Sequence, residues 1–382
     1  MRMTMSTRAR SVMYPALFML MACFYLSGCS MGPKALKGNR LDYNVSIQKS
    51  NNEELLINLV RAKYYEPLFF LQVGSISSSF SYTVSAALGG TIYSKGTDVF
   101  ANSISPELGA GYGEKPTITY TPVQGEQALK QLMEEINLDR FLLLTRVGWS
   151  IDSLMWTVVQ RIGELNNYDP GITKGVADPY GKFLDLAEIF RRMQSRGDIE
   201  FVGVDKEGKG TMQLRYAGPE EASEVENLLG IKPERINASD GKIISSIKLT
   251  PVRDLTVGLR ETERHNAVSI KFKSCFGMLY DLARNVEVSE KDVEKGLTQD
   301  FKPLGENMMK RKGLHRGLIK VRNSSARPSD AYVSIFYRGR WYYIADNDAR
   351  SKAYFVLVGM IFSLQAGELH TAQPLLTLPV NQ

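Results

Sequence analysis

From Ile76 to Tyr120 the chain is written in period two. Apolar residues hold even positions, Ile76, Phe80, Tyr82, Val84, Ala86, Leu88 and Ile92, then Phe100, Ile104, Leu108, Ala110, Tyr112, Ile118 and Tyr120. Odd positions are mostly small or polar: Ser75, Ser77, Ser79, Ser81, Thr83 and Ser85, then Ser103, Ser105, Gly109, Gly111, Gly113, Thr117, Thr119 and Thr121. A helix would scatter this set around its axis, whereas a strand sends alternate residues to opposite faces. The segment is therefore expected to form two or more one-sided strands, joined near Ser94 to Asp98. Their apolar face is expected to lie on helices of the same chain, because a bare stripe is costly for a water-soluble monomer. The alternative is insertion into a membrane, for which a strand needs about 9–11 alternating residues with aromatic ends. Phe80, Tyr82, Tyr93, Phe100 and Tyr112 stand in suitable places. Two strands cannot close on themselves, so that alternative requires several copies.

The N-terminus constrains address more than fold. Arg2, Arg8 and Arg10 form a basic start without an acid, an apolar run from Ser11 to Leu26 follows, and Leu26-Ser27-Gly28-Cys29 closes it. At roughly 16 residues the run falls short of the about 20 that a spanning helix needs, which suits the middle of a cleaved signal. The three parts in this order resemble a bacterial lipoprotein signal peptide ending in a lipobox. The resemblance implies that a lipoprotein signal peptidase recognises Leu26, Ser27 and Gly28 and cuts before Cys29. It further implies diacylglycerol and an N-acyl chain on Cys29, with no other cofactor. Ser30 follows where inner-membrane lipoproteins often carry Asp, so the resemblance points to the outer membrane, periplasmic face. Two or three acyl chains, at about 0.8 kcal/mol per buried methylene, anchor a protein without a spanning helix.

Composition sets the remaining bounds. Of 382 residues, 43% are hydrophobic and 23% charged, as in a globular chain with a real core. The formal charge of +6 includes the three signal arginines, so the mature excess is about +3, too weak to argue for nucleic acid. With Cys23 removed and Cys29 acylated, Cys275 stands alone, no intrachain disulfide can form, and a buried thiol is the expected role. The expected plan is a signal peptide over 1–28, a tether over 29–41 containing Gly32, Pro33 and Gly38, and an α+β region over 42–165. A linker over 166–181, with Pro170, Gly171, Gly175, Pro179 and Gly181, leads to a second α+β region over 182–382.

Within that plan Ser50-Asn51-Asn52-Glu53 is a capping-box pattern opening a helix with Leu55, Leu56, Leu59 and Val60 on one face. Helix returns over Gln124–Leu165 and Phe183–Ser195, the latter stopped by Gly197. Hairpins are expected over Ile199–Val204 with Met212–Tyr216, and over Tyr332–Tyr337 with Trp341–Ile344 about an Arg338-Gly339 turn. Tyr354–Leu364 reads as a helix buried on all sides, and Pro374–Val380 as a closing strand. Interspersed helices and mainly antiparallel strands give an α+β class, a globular body on a lipid anchor.

No constellation carries obvious chemistry. His265, His315 and His370 lack metal-ligand spacing, and no Gly-x-Ser-x-Gly elbow occurs. Gly109 to Gly113 lacks the Lys-Ser or Lys-Thr of a phosphate loop. Glu134, Glu135, Glu220, Glu221, Glu224 and Glu226 read as solvated helix faces, and Asp348 as a helix cap with Asp346 beside it. No catalytic and no metal-binding residue is expected. The one charged feature is a basic tract in which Lys310, Arg311, Lys312, Arg316, Lys320, Arg338 and Arg340 are candidates for contact with anionic lipid headgroups or an acidic partner. Strand alternation with a solvated basic face is the simpler account.

Two stretches, Leu55–Arg61 followed by Pro67–Leu71 and Pro116–Pro122 followed by Gly125-Glu126, together with Tyr337–Asp346, resemble a family of proteobacterial envelope lipoproteins without an assigned activity. The resemblance implies an envelope component and supplies no catalytic residue. The expected function is a non-catalytic binding or assembly role on the outer membrane, with envelope proteins or anionic headgroups as partners and no nucleic acid. The alternatives are an oligomeric pore or export component built on the 76–120 hairpin, and a cell-wall glycan hydrolase using carboxylates.

Overall fold

The computed structural model describes residues 31–95, 98–123, 126–167, 179–252, 265–299 and 319–366. The chain opens with helix α1 (Met31–Lys63), then strands β1 (Leu71–Lys95) and β2 (Asp98–Pro122). Three short helices follow, α2 (Glu126–Met133), α3 (Leu138–Arg146) and α4 (Ile151–Val158), then β3 (Val159–Ile162) and β4 (Leu165–Asn166). Helix α5 (Pro179–Arg196) leads into β5 (Ile199–Val204) and β6 (Gly210–Tyr216), then α6 (Pro219–Leu229), β7 (Ile236–Asn237), β8 (Ile243–Pro251) and β9 (Ala267–Phe272). The rest is α7 (Cys275–Ala283), α8 (Glu290–Glu294), β10 (Arg322–Ser324), β11 (Ala331–Tyr337), β12 (Arg340–Ala345) and α9 (Ala349–Ala366). The class is α+β.

Two compact units divide at Glu53 and Glu54. In the first the described residues are helical and largely exposed, and Lys49 and Glu53 form an i, i+4 pair at 3.9 Å. The second unit contains three sheets. Strands β1 and β2 make one by themselves; β10-β12-β11 make another; the largest runs β4-β3-β9-β8-β6-β5, with β7 also on β8. Its pairings are antiparallel except β8 with β9.

One apolar core joins these elements. Leu56, Leu59 and Val60 of α1, Phe183, Leu186, Phe190 and Met193 of α5, Leu214 and Tyr216 of β6, Tyr342 and Ile344 of β12, and Phe355, Leu357 and Val358 of α9 all belong to it. The positions repeat at helical or strand spacing, so each element offers one continuous apolar stripe.

Several expectations are met and several are revised. The hairpin of β5 with β6 forms as expected. So does that of β11 with β12, where Arg338 and Gly339 both take positive φ (49° and 77°), the conformation that a two-residue turn between twisted strands requires. The stretch 31–41, expected as a tether, is helical, and the Ser50 capping box lies inside α1 instead of opening it. Pro33 falls in the first turn, where its missing N–H breaks no bond. Gln124–Leu165 is three helices and then strands, not one helical stretch. The expected boundary at 166–181 separates no cores, because β3 before it pairs with β9 after it. Helix α9 has an exposed side at Ala353, Val356 and Ser363, so it is not buried all round. Pro374–Val380 lies outside the described residues.

The α5–β5 junction is held by buried charge. The Asp198 side chain is only 1% exposed and accepts from Arg196 Nε and Lys242 Nζ, each at 2.8 Å, while Arg196 also binds Glu221 at 2.8 Å. Burial opposes ionisation of Asp198, but the Lys242 and Arg196 bonds prevail and hold its pKa below the usual carboxylate range. Its stabilisation is complete above the unfolded value of about 3.9 and disappears as pH falls through the depressed folded value. Asp198→Asn is therefore expected to destabilise the protein at neutral pH by about 3 kcal/mol, the scale of breaking a buried ion pair. Urea unfolding across a pH series checks this: the gap to wild type should close below about pH 4, and a gap independent of pH would contradict it.

Candidate functional site

The hairpin of β1 and β2 forms a sheet by itself among the described residues. Each strand has 25 residues, roughly 80 Å at about 3.3 Å per residue, where most strands have 3–10. From Ser75 opposite Thr119 to Thr91 opposite Ser103 the register is continuous, with irregularities at Val73/Ser75 and Thr91/Ile92. Even positions thus face even positions: Ile76 with Ile118, Tyr82 with Tyr112, Val84 with Ala110, Ala86 with Leu108, Leu88 with Pro106. Within that continuous register, strand alternation assigns the even positions of both strands to one face of the ribbon. The other face receives Ser77 with Thr117, Ser81 with Gly113, Thr83 with Gly111, Ser85 with Gly109, and Thr91 with Ser103.

Among the described residues, neither outer edge of this ribbon pairs with another strand. Ile118 and Tyr120, two even positions near the root, are 39% and 50% exposed. The side chains expected under helices of the same chain, Phe80, Tyr82, Val84, Leu88, Phe100, Leu108 and Tyr112, lie outside the described ones. Ser85, on the hydroxyl-rich face, is also exposed.

The root is clamped to the core by side chains that pattern reading missed. Asn58 sits fully buried on α1 among Leu55, Leu56 and Leu59. Its Nδ2 donates to Phe69 O at 2.7 Å and to Glu54 O at 3.0 Å, and its Oδ1 accepts from Phe69 N at 2.8 Å. One side chain thereby satisfies both backbone groups of the residue entering β1, so neither is stranded unpaired. Glu54 Oε1 accepts from Leu71 N at 2.5 Å. Burial raises the Glu54 pKa, opposed by that amide and by Arg61. The two chain ends meet where Val123 N donates to Phe70 O at 2.9 Å, and the Phe70 ring lies 4.2 Å from that of Phe362.

Beside the root, Tyr64 Oη bonds Asp292 Oδ2 and Tyr342 Oη, each at 2.7 Å, and the Arg338 guanidinium lies 4.6 Å over its ring. Burial, then the hydrogen bonds to Tyr342 and Asp292, push the Tyr64 pKa far above the ordinary phenol value. Glu66 accepts from Tyr337 and Arg338. These groups join the end of α1 to β12 and α8.

The basic tract takes a different form from the expected surface. Lys310, Arg311, Lys312 and Arg316 lie outside the described residues. Of the others, Arg338 pairs with Glu66, Arg340 donates to Asn323, and Lys320 pairs with Glu287 at 3.2 Å. Cys29, Leu26, Ser27 and Gly28 also lie outside the described residues.

The remaining candidates fall into structural roles. Glu226 holds Arg235 through both oxygens at 2.9 and 2.7 Å, Glu221 binds Arg196, and Asp348 accepts from the Ser351 amide and hydroxyl at 3.0 and 2.8 Å as a helix cap. Burial pushes the Cys275 thiol up to about 12, leaving it an inert small hydrophobe. An open groove of about 560 Å³ beside the β5–β6 turn is lined by Asp205, Lys209, Lys248 and Asn266. Asp205 there closes its own turn by accepting from the Glu207 and Lys209 amides, both at 2.9 Å. No group of His, Cys, Asp and Glu among the described residues is arranged to hold a metal ion, and no described helix is long and apolar enough to cross a membrane.

Comparison with protein-family models, curated proteins and solved structures finds no match to this chain.

The clamp generates a direct expectation. Asn58→Ala removes three hydrogen bonds and strands both backbone groups of Phe69, at about 1–3 kcal/mol per unsatisfied buried group. Hydrogen exchange should speed at Phe69, Leu71 and Val123 while β6 and β8 stay protected. Uniform loss across the core would mean that Asn58 stabilises the whole body and not the root.

Proposed function

We propose that this chain is a lipid-anchored envelope lipoprotein that assembles with copies of itself, each contributing the Leu71–Pro122 hairpin to a shared β-barrel. The observation that carries the proposal is a long ribbon with one apolar face, one hydroxyl-and-glycine face, and two edges that pair with no other strand among the described residues. A ribbon of this kind is incomplete by itself in a bilayer, and side-by-side copies satisfy its edges. The lipobox-like Leu26-Ser27-Gly28-Cys29 supports an acyl anchor and, with Ser30, an outer-membrane address. The protein then acts non-catalytically, as an assembly and pore component. The hydrolase alternative draws no support from Glu221 and Glu226, which serve ion pairs.

The closeness of Phe70 and Val123 suggests the test. Residues 71–122 can be replaced by a short Gly-Ser turn without straining the core. The full acylated protein, extracted in mild detergent and weighed by light scattering, is expected as a ring of many copies. The excised variant should be a folded monomer with the same near-ultraviolet spectrum. A monomeric full-length protein, or rings that survive the excision, would refute the proposal. In the excised variant, Cys29→Ala should release the chain from the membrane fraction.

A further inference from the structure

Resting on that barrel reading, we infer that only the distal half of the hairpin crosses the bilayer, Tyr82–Thr91 with Ser103–Tyr112, its even positions facing lipid and its odd positions facing the lumen. The proximal half, nearer Leu71 and Pro122, stands in water as a neck between the membrane and the core.

Length is the first argument. A tilted membrane strand uses about 9–11 residues, and each strand here has 25. More than half of the ribbon must lie outside the hydrocarbon.

Charge decides which half. Glu114 stands opposite Phe80 and Lys115 opposite Ser79, while Lys95 and Asp98 face each other at the tip. Glu114 is at an even position, so a bilayer reaching down to it would hold a carboxylate against lipid, which is costly. Between these limits Glu107, opposite Ala87, is the single charged residue of either strand, and it stands at an odd position. It therefore belongs to the lumen face, where water solvates it.

Aromatic residues mark the same limits. Tyr82 and Tyr112 are direct partners just above Glu114, and Tyr93 and Phe100 are direct partners next to the tip, beyond the Thr91/Ile92 shift that sets an odd position opposite an even one. Membrane strands carry aromatics at both water interfaces. Above the Tyr82–Tyr112 pair the even positions hold Val84, Ala86, Leu88 and Gly90 against Ala110, Leu108, Pro106 and Ile104, and the odd positions hold Thr83, Ser85, Gly89 and Thr91. The exposed Ile118 and Tyr120 lie outside this band, on the part assigned to the neck.

Single cysteines test the assignment in the full acylated protein. The background is silent, because Cys275 is buried and acylation consumes the Cys29 thiol. Cysteines at positions 84, 86 and 88, at 83, 85 and 89, and at 76 and 118 would be tagged with a polarity-sensitive dye. The assembled protein is then placed in vesicles of phosphatidylethanolamine and phosphatidylglycerol. Nitroxide-labelled lipid is expected to quench the even distal positions and blue-shift their emission, and aqueous iodide to quench the odd ones. Both 76 and 118 should escape the lipid quencher. Lipid quenching at 76 or 118, or no alternation between 83 and 89, would overturn the inference even where rings form. Failure to form rings would instead refute the shared barrel, and the inference with it.

Discussion

Backbone hydrogen bonding at the edges of the β1–β2 ribbon is the constraint on which the rest depends. Inside the ribbon each strand satisfies half of its partner's polar groups, and the outward half has no partner in the chain among the described residues. In water those groups are solvated. In hydrocarbon each unsatisfied one costs several kcal/mol, so a lone ribbon is excluded from a bilayer and a closed ring of ribbons is admitted. Two-stranded hairpins are only marginally stable by themselves. The ribbon therefore relies on its fastening to the core at one end.

The core is arranged to supply that fastening. Helix α1 carries both the apolar stripe that joins the core and, between those residues, the Asn58 and Glu54 groups that hold the entry to β1. The buried Tyr64–Tyr342–Asp292 bonds tie the end of the same helix to β12 and α8.

What the sequence revealed of this arrangement follows from the range of the interactions. Strand alternation is local and strict, so the hairpin and its turn region were legible, as were β5–β6 and β11–β12. The helical nature of 31–41 was hidden because Gly32, Pro33 and Gly38 have low helix propensity one by one, and the Ser50 capping pattern is satisfied equally well inside a longer helix. The pairing of β3 with β9 and the parallel contact of β8 with β9 bring together residues distant in sequence, which no periodicity encodes. Asn58 was illegible for the same reason: an asparagine within an apolar stripe has no meaning until Phe69 is seen beside it. The basic residues looked available because their partners, Glu66, Glu287 and Asn323, come from other parts of the chain.

Residue-resolved hydrogen exchange along β1 and β2 in the full chain, once in membranes and once as dispersed monomer, tests the proposed pairing of the edges most directly. Within a ribbon alternate amides point inward and outward, so a monomer should show protection at every second residue. In a closed barrel the outward set gains partners from adjacent copies, and both sets should be slow from Tyr82 to Thr91. An outward set that exchanges as fast in the membrane as in the monomer would contradict the shared barrel.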